Sequence, residues 1–393
     1  MHDKFMSVRW VTMTFLVIVF FQLRSHAQQI QSLEHDTSEG TQNALIQVDA
    51  DTYLLAYSGA GIDGFVKTFT ISTDGNTITE VQSRAETGGF GFFNSWARVD
   101  VDTFALAYAG PGNDGFIKTF TIPADGSTIT AVQSLEHEGI QSNHNALVQV
   151  DADTYALAYS GNAGVGTIKT FTISANGSTI TEVQSTVHDG NIVTFNSWAK
   201  VDADTFVLAY AGGANDGFIK TLTISSDGNT ITEVQSLEHD TVNGQYNSLV
   251  QVDADTYALA YSGTDGDGFI KTFSISSDGS TITEVQSLEH DTVMGQYNSL
   301  VQVDTDTYAL TYSGADGDGF IKTFTISSDG STITEIESLE HDVVNGQNNS
   351  LVQVDADTYA LAYAGEDSDG FLKTFMISAS GSVPVTLMRF SVE

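Results

Sequence analysis

The chain alternates short runs rich in Val, Ile, Thr, Tyr and Phe with turn clusters of Gly, Asp, Asn and Ser. Inside the runs, apolar and polar positions alternate with a period of two, which predicts strands rather than helices. From residue 235 onward the runs are Ser248–Val252, Thr256–Ser262, Phe269–Ser276 and Thr281–Glu289, here called a, b, c and d. Asp278-Gly279 separates c from d and reads as a hairpin turn, because Gly takes positive φ without strain. Asp253-Ala254-Asp255-Thr256 turns a into b, and Gly263–Gly268 connects b to c.

This four-strand unit recurs without insertion or deletion. Asn43, Asn94, Asn145, Asn196, Asn247, Asn298 and Asn349 are 51 residues apart and mark seven copies. Four short antiparallel strands at a period near 50 predict an all-β fold, a seven-bladed β-propeller over residues 28–382. A solenoid usually has a shorter period and distinct capping repeats, and neither end of this chain reads as a cap. In the first copy Tyr53, Leu55, Tyr57, Phe65, Lys67, Phe69 and Ile71 share one face, and Leu54, Ala56, Ser58, Val66, Thr68 and Thr70 share the other. A bulky face and a smaller one suit stacked blades, with the large side chains of one blade expected on the small face of the next.

The phase of the repeat predicts how the ring closes. Gln28–Asp36 matches the end of a strand d, so its expected place is beside Phe371–Ser378, at the outer edge of the last blade. The competitor for that edge is Val383–Phe390, within a C-terminal edge strand or linker tail at 383–393; Pro384 restricts it to an edge.

Residues 1–27 read as a secretory signal: Lys4 and Arg9, a 12-residue apolar run from Trp10 to Phe21, and Ser25-His26-Ala27 as a small-x-small cleavage site. The run is too short to span a bilayer as a helix, although a short membrane anchor is the alternative reading. No membrane insertion is expected once the signal is removed. The chain carries 14 basic and 50 acidic residues, a net charge of −36. Such a surface repels nucleic acid and anionic lipid and suits a soluble monomer. There is no Cys, so packing and ring closure carry the stability.

Lys67, Lys118, Lys169, Lys220, Lys271, Lys322 and Lys373 occupy one mid-strand position in every copy. Counting from the hairpin puts Phe69 opposite Glu80 and Lys67 opposite Gln82, so Lys67 and Glu80 are diagonal neighbours and a structural pair is expected. Ala131 breaks the series in the second copy. The alternative is a basic ring for an anionic ligand. The same count places His290 opposite Asp267, His137 opposite Asp114, His239 opposite Asp216, His341 opposite Asp318, and His35 near Asp369 across the closure. Glu86 stands where His is expected, and Val165 where Asp is expected. Structural hydrogen bonds are the preferred reading of these pairs over general-base or metal chemistry.

In a four-strand meander the d–a and b–c loops share one face of the disc, which is longer-looped and more acidic and is the candidate binding face. Its b–c loops carry Asp265, Asp267, Asp316, Asp318, Asp367 and Asp369 as candidate ligands for calcium, the one cofactor considered; plain turn chemistry is the alternative. Phe92, Phe93, Trp96, Phe195, Trp198, Tyr246 and Tyr297 are the candidate ligand-binding aromatics, suited to the apolar faces of sugars. Trp96 and Trp198 replace a Leu of other copies, so wedging between blades is their alternative role.

The tail Val383–Ser391 resembles the lead-in to C-terminal sorting modules of bacterial type IX secretion cargo. That resemblance implies a secreted or cell-surface protein. Turns such as Ser276-Ser277-Asp278-Gly279-Ser280 lack the aromatic of a sialidase Asp-box. The expected function is a secreted or cell-surface binding and adhesion module that presents repeated loop sites to a glycan or a surface protein. The alternatives are a polysaccharide-active hydrolase or lyase, which needs two placed carboxylates, and a purely structural propeller. No catalytic residue is assigned, and the reading leans away from an enzyme.

Overall fold

A computed structural model describes residues 27–86 and 91–378. The expected signal, apart from Ala27, and the expected tail at 383–393 lie outside the described residues. The fold is a seven-bladed β-propeller with four antiparallel strands in each blade. The first blade comprises Thr41–Asp49, Thr52–Ser58, Gly64–Ile71 and Ile78–Glu86 as strands a to d. The a strands touch one another around the axis, and the d strands form the outer wall.

The last blade takes its outer strand from the start of the chain. Ala27–Asp36 pairs antiparallel with Gly370–Ile377, with Gln28 opposite Met376 and Leu33 opposite Leu372. Across this seam Thr374 Oγ1 donates to Gly75 O at 2.7 Å, and Leu45 N–H donates to Ser350 Oγ at 3.0 Å. The Thr374 bond copies the joint made elsewhere by Thr68 on Gly126 O and Thr272 on Gly330 O. Glu337, which stands where the other copies have Gln, accepts from Ala27 N–H at 3.0 Å.

Both faces of each blade are buried. Tyr53, Leu55, Tyr57, Phe69 and Ile71 of the first blade pack on Val354, Ala360, Ala362 and Leu372 of the last. The same arrangement puts Tyr308, Leu310, Tyr312 and Phe324 on Ala258, Ala260 and Ile270. Each blade therefore presses its bulky face on the blade before it, the reverse of the expected direction. Alternation reveals two faces, but the sense of rotation comes from strand twist and chain direction.

Strand d bulges twice in five of the blades, once in the first, and has a further shift in the third. In the first blade Phe69 pairs with Glu80 and Thr68 with Gln82, so Val81 is the extra residue and Lys67 faces Ser83 rather than Gln82. In the fifth, Gly268 pairs with Asp291 and Phe269 with Glu289, which leaves His290 as the second extra residue. Bulges bend the outer strand and re-aim the residue they release. At the first bulge a Gln side chain accepts from its neighbour's edge N–H, as Gln82 does from Ser83 and Gln286 does from Ser287, both at 3.0 Å.

The seam makes a direct prediction. A chain lacking residues 27–36 should unfold in a broad, non-cooperative urea transition, and a synthetic peptide of that sequence should restore a single sharp one. A deleted chain that unfolds as sharply as the intact one would show that closure by this strand is dispensable.

Candidate functional site

The d–a and b–c loops lie together on one face, joined by backbone bonds such as Gly244 N–H to Asn215 O at 2.8 Å and Gly40 N–H to Ser368 O at 2.7 Å. Each strand a starts on this face with a bulge. Thr41 pairs with Ser58 and Ala44 with Ala56, so residues 42 and 43 oppose Tyr57 alone. The bulged residue is left-handed in every blade: Gln42, Phe93, His144, Phe195, Tyr246, Tyr297 and Asn348 have φ between 53° and 58°. This conformation costs a non-Gly residue roughly 1–2 kcal/mol, so the surroundings must hold it.

The recurring Asn supplies part of that hold. In four copies its side-chain amide donates both to the carbonyl three residues back and to the bulged residue of the preceding blade; Asn196 makes only the second bond, and Asn43 and Asn145 only the first. Asn94 reaches Gly91 O at 2.7 Å and Gln42 O at 2.9 Å; Asn247 reaches Gly244 O at 2.8 Å and Phe195 O at 3.1 Å.

The seven bulged side chains converge at the axis around a depression of about 260 Å³, whose described lining is these residues and the Asn ring. Five aromatic rings lean on one another in chain order. Centroid separations are 4.4 Å for Phe93–His144, 4.5 Å for His144–Phe195, 4.2 Å for Phe195–Tyr246 and 4.7 Å for Tyr246–Tyr297. Burial lowers the His144 pKa to about 4, so the ring is neutral at ordinary pH. Burial and a hydrogen bond with Tyr297 hold the Tyr246 hydroxyl well above its usual range. No carboxylate and no basic side chain belongs to the described lining.

Of the candidate aromatics, Phe93, Phe195, Tyr246 and Tyr297 meet in this mouth and are half-buried. Phe92 pairs with Ala109 beside it. Trp96 and Trp198 wedge between blades: their indole N–H groups donate to Ala44 O and Ala146 O, both at 3.1 Å. Elsewhere the preceding blade has Ser in place of Ala, and its hydroxyl accepts a Leu N–H, as Ser248 does from Leu300 at 2.9 Å. The same two blades exchange Tyr for Phe104 and Phe206. Arg98 and Lys200 cover those rings at 4.8 Å and 5.4 Å and donate to Val48 O and Val150 O.

Asp265, Asp316 and Asp367 are left-handed turn residues, and the N–H groups of Asp267, Asp318 and Asp369 close those turns. Among the described residues no three His, Cys, Asp or Glu side chains gather as a metal cluster. The loop carboxylates are thus not gathered into such a cluster, and no step is assigned to a metal.

Lys67 lies 3.0 Å from Glu80, and Lys169, Lys220, Lys271 and Lys322 reach the corresponding Glu at 2.9–3.2 Å. These ammonium groups are buried and also donate to a His backbone carbonyl of the preceding blade, Lys220 to His188 O at 2.6 Å. In the second blade Lys118 pairs with Glu86 instead. The two departures in the sequence, Ala131 and Glu86, therefore compensate each other. Lys373 lies 3.5 Å from Asp342, since the closing strand carries Gln29 opposite Phe375.

The expected His–Asp pairs are not formed. His35, His137, His188, His239, His290 and His341 are buried, and neither ring nitrogen of any has a hydrogen-bond partner among the described residues. Asp267 does not reach His290, nor Asp369 His35, because the unforeseen bulges displace the count and turn the imidazole inward. The His290 ring packs edge-on to Tyr312 at 4.8 Å and covers Gly268, where a Cβ would sit 2.4 Å from its Cε1. The tyrosine hydroxyl donates instead to the residue after the His, as Tyr57 does to Asp36 at 2.9 Å and Tyr312 to Asp291 at 2.9 Å. An acidic residue following each His was the overlooked signal for that bond.

No family model and no curated protein sequence matches the chain. Solved propellers do. A periplasmic gluconolactonase of Pseudomonas aeruginosa aligns with a TM-score of 0.59 at 11% identity, over 75% of this chain and 83% of that one. Sqt1 of Chaetomium thermophilum aligns with a TM-score of 0.56 at 14% identity, over 87% and 98%. A protein of the COPII outer coat vertex on membranes aligns with a TM-score of 0.59 at 13% identity, over 88% and 86%. At these identities the likeness is one of scaffold.

Two predictions follow from the buried charges. Glu86→His should destabilise the fold by about 2 kcal/mol, since it strips a half-buried ammonium of its carboxylate. Adding Ala131→Glu should restore most of the loss in urea unfolding; no recovery would contradict the compensation.

Burial, reinforced by the neighbouring Lys, holds the six buried histidines at a pKa of about 3 against an ordinary 6.5. Below pH 6.5 the unfolded chain takes up protons that the folded chain refuses. Stability therefore falls with pH toward 3, by up to about 1.4 kcal/mol per histidine per pH unit. His290→Leu should remove about 1.4 kcal/mol of the loss between pH 7 and 5.5. An unchanged loss would mean that this imidazole is protonated in the fold.

Proposed function

We propose that the chain is an exported binding module that holds its ligand, a glycan or a surface protein, on the d–a/b–c loop face, with calcium dispensable. The axial mouth carries this reading. Seven strained residues are brought to one place, and they offer aromatic and amide surface without a charged group. Strain of this kind concentrates at functional sites. Exposed aliphatic loop tips, Ile140, Ile192, Val242, Val293 and Val344, stand around the same face and add apolar contact area.

A hydrolytic reading is less supported. Glycoside hydrolysis needs two carboxylates flanking the scissile bond, and the described lining supplies none. The coat and lactonase propellers share the scaffold, which serves unrelated functions.

The test is a glycan array together with capture of surface proteins, using the exported chain with and without calcium. Retention of a ligand that Phe195→Ala abolishes, and that chelation leaves in place, is the expected result. Turnover of a polysaccharide without retention would overturn the reading.

A further inference from the structure

We propose that the axial mouth is a single off-centre site for one neutral pyranose ring, an inference that rests on the binding-module reading above. Most repeated positions are scattered around the disc, so a ligand that used them would meet up to seven equivalent sites. The bulged position is different, because all seven copies of it meet at the axis. Variation there turns a repeat into one asymmetric site. Across the copies this position holds five residue types, whereas the Asn beside it is the same in all seven.

The asymmetry has a direction. Closure makes the last blade the neighbour of the first, so Asn348 and Gln42 are adjacent and form an amide sector. Phe93, His144, Phe195, Tyr246 and Tyr297 fill the rest as a continuous aromatic arc. Phe93 N–H donates to Gln42 Oε1 at 3.2 Å, so the amide of this lining residue keeps its nitrogen as a donor. A pyranose has a C–H face for aromatic carbon and a rim of hydroxyls for amides and phenols.

Size and charge narrow the ligand further. At about 260 Å³ the mouth lies below the roughly 300–1,000 Å³ of drug-sized sites, room for one ring rather than an oligosaccharide. It has no basic side chain in its described lining, and the chain's net charge of −36 repels anions. Acidic sugars are therefore disfavoured, and His144 adds no charge above about pH 4.

Calorimetric titration of the exported chain with methyl glucoside, methyl galactoside, mannose, N-acetylglucosamine and glucuronate tests this. At least one neutral sugar should bind with one site per chain, at least tenfold tighter than glucuronate, and equally at pH 5.5 and 8. Gln42→Ala and Tyr246→Leu should each weaken it at least tenfold with melting unchanged, and Val101→Ser on the opposite face should leave it intact. Should Tyr246→Leu melt early, Tyr246→Phe with Gln42→Ala carries the test. Several sites per chain, a preference for glucuronate, or indifference to the mouth variants would overturn the proposal. So would failure of every sugar. Surface-protein capture that persists in that last case would leave the binding-module reading standing, and loss of both would remove it too.

Discussion

A side-chain amide at the axis ties five of the seven blades to the one before it. Asn94, Asn247, Asn298 and Asn349 donate both to their own loop and to a carbonyl of the preceding blade, at the residue forced into a left-handed turn. A buried carbonyl left without a donor costs about 1–3 kcal/mol, so the contact that joins the blades also sustains the strain. The bond recurs at five of the seven joints that frame the axial mouth. Farther out, the joint is completed by Thr on a turn carbonyl and by Lys on a His carbonyl. Packing and site are thus produced by the same few bonds, repeated at different radii.

Much of this was legible in the sequence. Period-two alternation marked the strands, and the constant 51-residue spacing of Asn43 and its counterparts set the blade number. The phase of Gln28–Asp36 identified the closing strand, because a unit that begins with its last strand has one place to go. What stayed hidden was geometry that no residue type announces. Val81 and His290 look like ordinary strand positions, yet each is an extra residue that shifts the register by one. Counting through unmarked bulges kept Glu80 in place but misplaced Gln82, and it invented a bond between Asp267 and His290.

The site was half legible for a related reason. Phe93, Phe195, Tyr246 and Tyr297 stood out as aromatics, whereas Gln42, His144 and Asn348 did not, because polar residues beside a loop are unremarkable. Only the bulge at the head of strand a reveals that all seven share one location. Trp96 and Trp198 drew notice by rarity, and their explanation lies one blade away. Ala44 and Ala146 give up a hydroxyl, and the indole takes over the joint with its own N–H. A rare residue of the repeat serves the packing, and a varied position lines the mouth.

The glutamine at the outer bulge bears on how such molecules behave when crowded. Unpaired N–H groups along an outer strand are a template on which a second chain can pair. By accepting from the N–H of Ser83, Gln82 occupies a donor that an incoming strand needs, and Gln286 does so at Ser287. One donor of each such strand is thereby withheld from rim-to-rim pairing.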